Sequence, residues 1–456
     1  MSDDFIIRSE RVVTPDGVRA AAVLVRDGRI AAVAPHGDRP AGVRIIDVGD
    51  RVLLPGLVDT HVHINEPGRT DWEGFETGTR AAAAGGVTTI VDMPLNSIPA
   101  TTSVEGFDAK AAAARGRCQV DVGLWGGVVP GNTSSLAALA RRGVLGFKGF
   151  MSPSGVDEFE HVSEADLRAA APVLADLGLP LLVHAEWPAL LAGVEPAADP
   201  RSYRTWLATR PPESEHAAIA CLIDLAREFR VHVHVVHLAS AGALDSLRAA
   251  RREGLPVTVE TCPHYLTFCA DDIADGATAF KCAPPVRGRH NREALWDALG
   301  RGDVDLVATD HSPAPAALKG IEEGDFIRAW GGIASLQLGL AAVWTGAVSR
   351  GYTLEHAARW LAAAPARLAG LAARKGAIEA GRDADFVVFD PDATFVVDAT
   401  QLLHRHPITP YDGMRLRGGV EQTFLRGRLI YGDGASVKPS GELVLPAPDM
   451  GRGFRL

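Results

Sequence analysis

The chain has 456 residues, of which 47% are hydrophobic and 22% charged, well beyond the roughly 100–200 residues of one ordinary domain, so it can bury a large core. A formal net charge of -10 without clustered Lys and Arg excludes nucleic acid and anionic membrane as partners and leaves a small molecule. No apolar run of about 18 residues and no apolar core behind a basic start occurs, so neither a membrane span nor a signal peptide is expected, and a cytoplasmic location is.

Residues 1–54 alternate apolar and polar positions between turn signals (FIIRSERVVTPDGVRAAAVLVRDGRIAAVAP), which predicts short antiparallel strands. From residue 56 to about 350, short β-branched runs alternate with Ala/Leu/Arg-rich stretches of helical period. The runs are 58–64, 88–94, 119–129, 144–151, 180–186, 230–240, 257–266 and 304–312. Eight such units predict a (β/α)8 TIM barrel, an α/β fold. The competing arrangement, an open doubly wound sheet, lacks the Gly-rich phosphate loop expected after its first strand. The tail from about 376 (AIEAGRDADFVVFDPDATFVVD) returns to short strands. Residues 1–54 and 376–456 are therefore expected to pair as one composite β-sandwich domain around a catalytic barrel of residues 55–375.

His61 and His63 stand two apart in the first barrel run, so they share a face and can grip one metal ion. Barrel active sites lie at the carboxyl ends of the strands. At the other run ends stand Lys148, His184, His237 and Asp310. The five cysteines, Cys118, Cys221, Cys262, Cys269 and Cys282, form no C-x-x-C pair, so a metal must be held by imidazole and carboxylate. An ammonium at Lys148 would be repelled by divalent ions. Either the amine takes up carbon dioxide and becomes a bridging carbamate, or it snorkels to the barrel rim. In the sixth run, alternation puts His232 and His234 on one face and His237 on the other. His237, nearest the run's end, is the preferred ligand, and His234 competes with it. In TDHSP, Asp310 and His311 face opposite sides, and Asp310, able to ligate a metal and accept a proton, is the expected one.

Taken together, H-V-H, G-F-K, V-H-A-E, V-H-L-A-S and T-D-H-S-P resemble the cyclic amidohydrolase family over nearly the whole chain, including the tail stretch GRDADFVVFD. The resemblance implies a hydrolase with two divalent ions, usually zinc, bridged by a carboxylated lysine matching Lys148. The first ion would take His61, His63, Lys148 and Asp310; the second would take Lys148, His184 and His237. Asp310 would be the catalytic acid and base, and the assembly a homotetramer. Dihydroorotases carry an arginine at the position of Asn65, and hydantoinases a tyrosine at that of Pro153. The stretches HINEPGRTDWEGFETGTRAAAAGG, DMPLNSIPAT, CPHY, KCAPPVR and AWGGIASLQ are more similar to the branch that opens the hydantoin-type ring of a cyclic ureide to a ureido acid. Ala283 departs from the serine many relatives carry. Asn65, Asn96, His264 and Trp330 are the candidate substrate-binding residues. The alternatives are dihydroorotase, hydantoinase or dihydropyrimidinase activity, or a non-enzymatic barrel that has lost its metals.

Overall fold

A computed structural model describes residues 4–38, 40, 42–195, 198–435 and 438–446. Its centre is a barrel of eight parallel staves: β1 (Leu57–Val62), β2 (Val87–Asp92), β3 (Asp121–Leu124 and Gly126–Gly127), β4 (Phe147–Phe150), β5 (Leu181–His184), β6 (Val233–Val235), β7 (Val257–Thr261) and β8 (Leu306–Val307). Neighbours pair in register from β3 through β8 and from β1 through β3. The ring closes where the His63 amide donates to the His311 carbonyl at 2.9 Å, beside a parallel bridge between Val62 and His311.

The staves match the expected runs but are shorter, β1 and β2 starting one residue earlier at Leu57 and Val87, and two depart from expectation. The third is broken at Trp125: Asp121–Leu124 pairs with β2, whereas Gly126–Gly127 pairs with β4. Trp125 is fully buried and its indole N–H donates to the Thr60 carbonyl at 2.8 Å, so the break lets one large ring turn toward β1. The seventh run does not continue as strand through 266. Pro263 opens a short helix, Pro263–Thr267, because its fixed φ suits a first helical turn and its missing N–H would interrupt a ladder.

Amphipathic helices cover the barrel where the sequence period calls for them, as in Phe75–Ala84, Glu164–Leu177, Pro212–Phe229 and Leu244–Arg252. Glu164–Leu177 begins in a capping box, Ser163 with Asp166, and ends at left-handed Gly178.

The terminal segments join as expected, through one branched eight-stranded sheet. It is mixed rather than antiparallel. The first strand, Phe5–Thr14, runs parallel to both Arg44–Asp47 and Val52–Pro55, and Phe386–Val396 then pairs antiparallel with Val52–Pro55. The strands are also long, up to 11 residues in Phe386–Val396 and Arg415–Leu425. A separate apolar core that includes Phe5, Val23, Leu53, Phe386 and Phe424 supports this sheet.

A buried ion cluster ties the sheet to the amino end of the barrel, opposite the stave ends that carry the candidate site. Lys375 Nζ lies 2.7 Å from Asp121 at the start of β3, 2.7 Å from Asp385 and 3.0 Å from Asp383. Arg426 adds a second contact to Asp121. Burial works to strip the proton from Lys375, but the three carboxylates overcome it and hold the amine charged well above the ordinary lysine range. Lys375→Met leaves those carboxylates buried without the cation they share. The expected cost is about 3–5 kcal/mol, read as a lower urea midpoint in equilibrium unfolding; a midpoint equal to wild type would contradict it.

Candidate metal centre and active site

A cavity of about 290 Å³ opens over the carboxyl ends of the staves, and His61, His63, His184, His237 and Asp310 share its wall. β1 stops at Val62, so His61 is still in the ladder and His63 is just beyond it. Both imidazoles present Nε2 to Asp310 Oδ1, each at 3.2 Å. His61, His63 and Asp310 offer ligand atoms within 4.8 Å of one another.

Carboxylates behind the imidazoles decide which nitrogen faces inward. Glu260 lies 2.5 Å from His61 Nδ1. With Nδ1–H donated to Glu260, the lone pair of His61 sits on Nε2 and faces Asp310. Glu186 takes His184 Nε2 at 2.6 Å, which turns His184 Nδ1 toward His237 Nε2 at 3.0 Å. This is how metal-binding histidines are ordinarily oriented. Lone pairs aimed at a carboxylate oxygen or at one another repel unless a proton or cation lies between them.

Lys148 reaches the same centre from β4. Its amine is buried with no hydrogen-bond partner among the described residues, 4.7 Å from the centroid of the Phe150 ring, and that ring stacks on His184. Burial pulls the amine down to about 7, against the opposing pull of Glu260 and Asp310. Burial also lowers His63 to about 4, His237 well below its usual range, and His184 in spite of Glu186. For Asp310, burial pushes upward but His61, His63 and His237 prevail and hold it well below the carboxylate range. At neutral pH His63, His184 and His237 are thus neutral and Asp310 ionised, the protonation state in which such groups bind metals.

His237 reaches the cavity by a route that strict alternation does not describe. β6 ends at Val235, and His237 has φ +39°, so the pleat no longer governs its direction. His232 and His234 do share a face, and both contact the Thr258 hydroxyl. His234 also lies against Glu260 at 3.1 Å, behind the cavity wall. His311 turns away from the cavity: Nδ1 accepts from the Ser335 and Leu336 amides at 3.1 and 3.3 Å.

The four candidate substrate residues separate into two groups. Asn96 and Trp330 line the cavity, Asn96 with φ +66°, and among the described residues neither the Asn96 Oδ1 nor the Trp330 indole N–H has a partner. Asn65 and His264 are buried outside the cavity wall, although His264, with Cys262, converges on Asp310. Gly332 also lines the cavity at φ +133°, where a Cβ would lie 2.3 Å from the Ser312 carbonyl, so only glycine lets the two loops approach.

Sequence reasoning missed Glu260, Glu186 and Asp59. Asp59 Oδ1 accepts from the His61 amide at 3.1 Å and Oδ2 from the Thr309 hydroxyl at 2.6 Å, tying β1 to the segment that carries Asp310. The available signal was the two-residue period, which places Asp59 on the face of His61 and Glu186 on that of His184. For Glu260 it was a lone charged residue inside a β-branched stave.

A profile of the amidohydrolase family matches residues 52–430. The chain belongs to the amidohydrolase family. A profile described as the allantoinase composite domain matches residues 1–50. An allantoinase of Streptomyces avermitilis is 52% identical to this amidohydrolase over 98% of this chain and 100% of its own, and an allantoinase of Arabidopsis thaliana is 46% identical over 95% and 89%. Among solved structures, an L-hydantoinase (dihydropyrimidinase) from Arthrobacter aurescens superposes with a TM-score of 0.91 at 32% identity, over 97% of this chain and 99% of that one. Family and geometry together point to divalent metal binding. No described helix is long and apolar enough to cross a membrane.

Replacing Glu260 by Gln removes the anion that fixes His61 and His234. Divalent metal affinity is expected to fall about 10–100-fold, measured by titration against a competing chelator; wild-type affinity in that variant would deny the orienting role.

Proposed function

We propose that this enzyme hydrolyses allantoin to allantoate by opening its hydantoin-type ring. The observation that carries the reading is the convergence of four imidazoles and a carboxylate on the wall of a single cavity, with a buried amine that has no partner among the described residues close by, in a chain 52% identical to an allantoinase over 98% of its length. The donor set fits two divalent ions, with zinc the natural choice for imidazole and carboxylate. His61, His63, Lys148 and Asp310 would hold one, and Lys148, His184 and His237 the other. The orphaned Lys148 amine supports carboxylation: an uncharged amine adds to carbon dioxide, loses a proton to solvent and becomes an anionic carbamate with two oxygens to share. When bound, such a pair supplies a water that ionises near neutral pH and a Lewis acid for the scissile carbonyl.

The chain's own residues do the rest. Asp310, held ionised, takes the proton of the attacking water and returns it to the ring nitrogen as the C–N bond breaks, leaving a carboxylate on the former carbonyl carbon. Asn96, with a free acceptor, and Trp330, with a free donor, orient the polar edges of the substrate. Trp330 packs edge-on against Trp72 at 5.0 Å and forms part of the cavity wall. Asn65 and His264 would act from behind this wall. The reading assigns catalysis to residues 55–375 and the β unit to 1–54 with 376–456, in a cytoplasmic homotetramer that sedimentation would check.

Two outcomes test the reading. With metal-replete protein, allantoin should be turned over far better than dihydroorotate or a 5-substituted hydantoin in parallel assays; preference for either of the others displaces it. Lys148→Ala should lose both metal ions and at least about a thousandfold in kcat/KM, the scale of several kcal/mol of lost charge stabilisation, with partial rescue by a short carboxylic acid. Full activity in that variant ends the bridging role.

A further inference from the structure

We propose that Arg210 is a specificity-determining residue that binds the ureido arm of the substrate, an inference that rests on the allantoin reading above. Three cations line the cavity: Arg210, Lys281 and Arg328. Arg328 is exposed to solvent. Lys281 directs its amine to the Ile327 and Ala329 carbonyls at 3.1 and 2.5 Å and so clamps the loop that carries Trp330. Arg210 differs from both. One terminal nitrogen, Nη1, engages Glu186, and the edge formed by Nε–H and the other terminal nitrogen has no partner among the described residues.

That edge is held in place from three sides. The guanidinium lies over the Trp206 ring, 4.8 Å from its centroid. Glu186, itself fixed by His184, anchors the far side of the group. The Arg210 carbonyl accepts from Arg287 at 3.3 Å, and Arg287 is in turn held by Glu215. The arginine closes the helix Tyr203–Thr209 and precedes Pro211 and Pro212, which restrict the backbone after it. A planar two-donor fork pre-positioned in a half-apolar cavity matches the carbonyl oxygen of a urea, which accepts two parallel N–H bonds. The hydantoin ring itself is addressed by the His and Asp groups at the stave ends. Allantoin differs from bare hydantoin by a ureido arm, so a fork that the stave-end His and Asp groups do not use discriminates between them.

The alternative is that Arg210 acts only through Glu186 and His184, and the two roles give different kinetics. Arg210→Lys and Arg210→Met would be assayed with allantoin, with bare hydantoin as a competing inhibitor, and with metal content and the pH profile of kcat recorded for each. The expected result is a KM for allantoin raised about 10–100-fold, the effect of losing bonds from a charged donor, with kcat reduced by no more than a few-fold. The inhibition constant of hydantoin, metal content and pH profile should stay at wild-type values. Equal weakening of allantoin and hydantoin, or loss of kcat with a shifted pH profile or missing metal, overturns the proposal in favour of a positioning role. Weakened inhibition by allantoate with an unaltered KM overturns it in favour of a grip on the product carboxylate. Wild-type enzyme that opens hydantoin but leaves allantoin intact removes the allantoin reading and this inference with it.

Discussion

A primary amine enclosed by protein, with no hydrogen-bond partner among the described residues and four imidazoles and a carboxylate near it, is the constraint on which the site depends. Burying an unpaired ammonium is costly, so Lys148 gives up its proton near neutral pH instead of holding a charge it cannot share. The surroundings are consistent with that demand. The Phe150 ring provides an apolar flank shared with His184, burial keeps His63, His184 and His237 neutral, and the negative charges stand behind or opposite the ring nitrogens. Such an arrangement stores electrostatic repulsion that cations between the donors relieve.

Holding these donors in place requires unfavourable backbone. Asn96, His237 and Asp310 are three of the six described non-glycine residues with positive φ, and all three line the cavity. Each such conformation costs on the order of 1–2 kcal/mol for a side chain with a Cβ. The surroundings over-determine them: Asp59 grips the residue before Asp310 through amide and hydroxyl, and Glu260 accepts from the His237 amide. Rigidity here is a property of the carboxylate layer beneath the site as much as of the ligands.

The two ends of the barrel divide the work between them. Stave carboxyl ends carry the strained backbone, the neutral imidazoles and the cavity. The opposite end carries the Lys375 cluster, in which Lys375 and Arg426 offset the buried carboxylates and lock the β sheet onto Asp121. Stability and chemistry are thus placed where neither disturbs the other's electrostatics.

Local pattern alone determined the eight βα units, the terminal strands and the H-x-H pair, because pleat and helix periods are set by chain geometry within a few residues. The same logic reached as far as each strand persists and no further. His237 lies two residues past β6 in left-handed backbone, and CPHY folds into helix at Pro263, so alternation governs neither. Trp125 splits a stave to reach the Thr60 carbonyl, and the parallel pairing of Phe5–Thr14 with two other strands depends on chain that arrives from elsewhere. Tertiary structure likewise decided that Glu260 should stand behind His61, 199 residues away in sequence, and that Arg210 should face the cavity. Those relations are fixed by closure of the ring and by burial of charge against charge, which depend on distances in space that sequence separation does not encode.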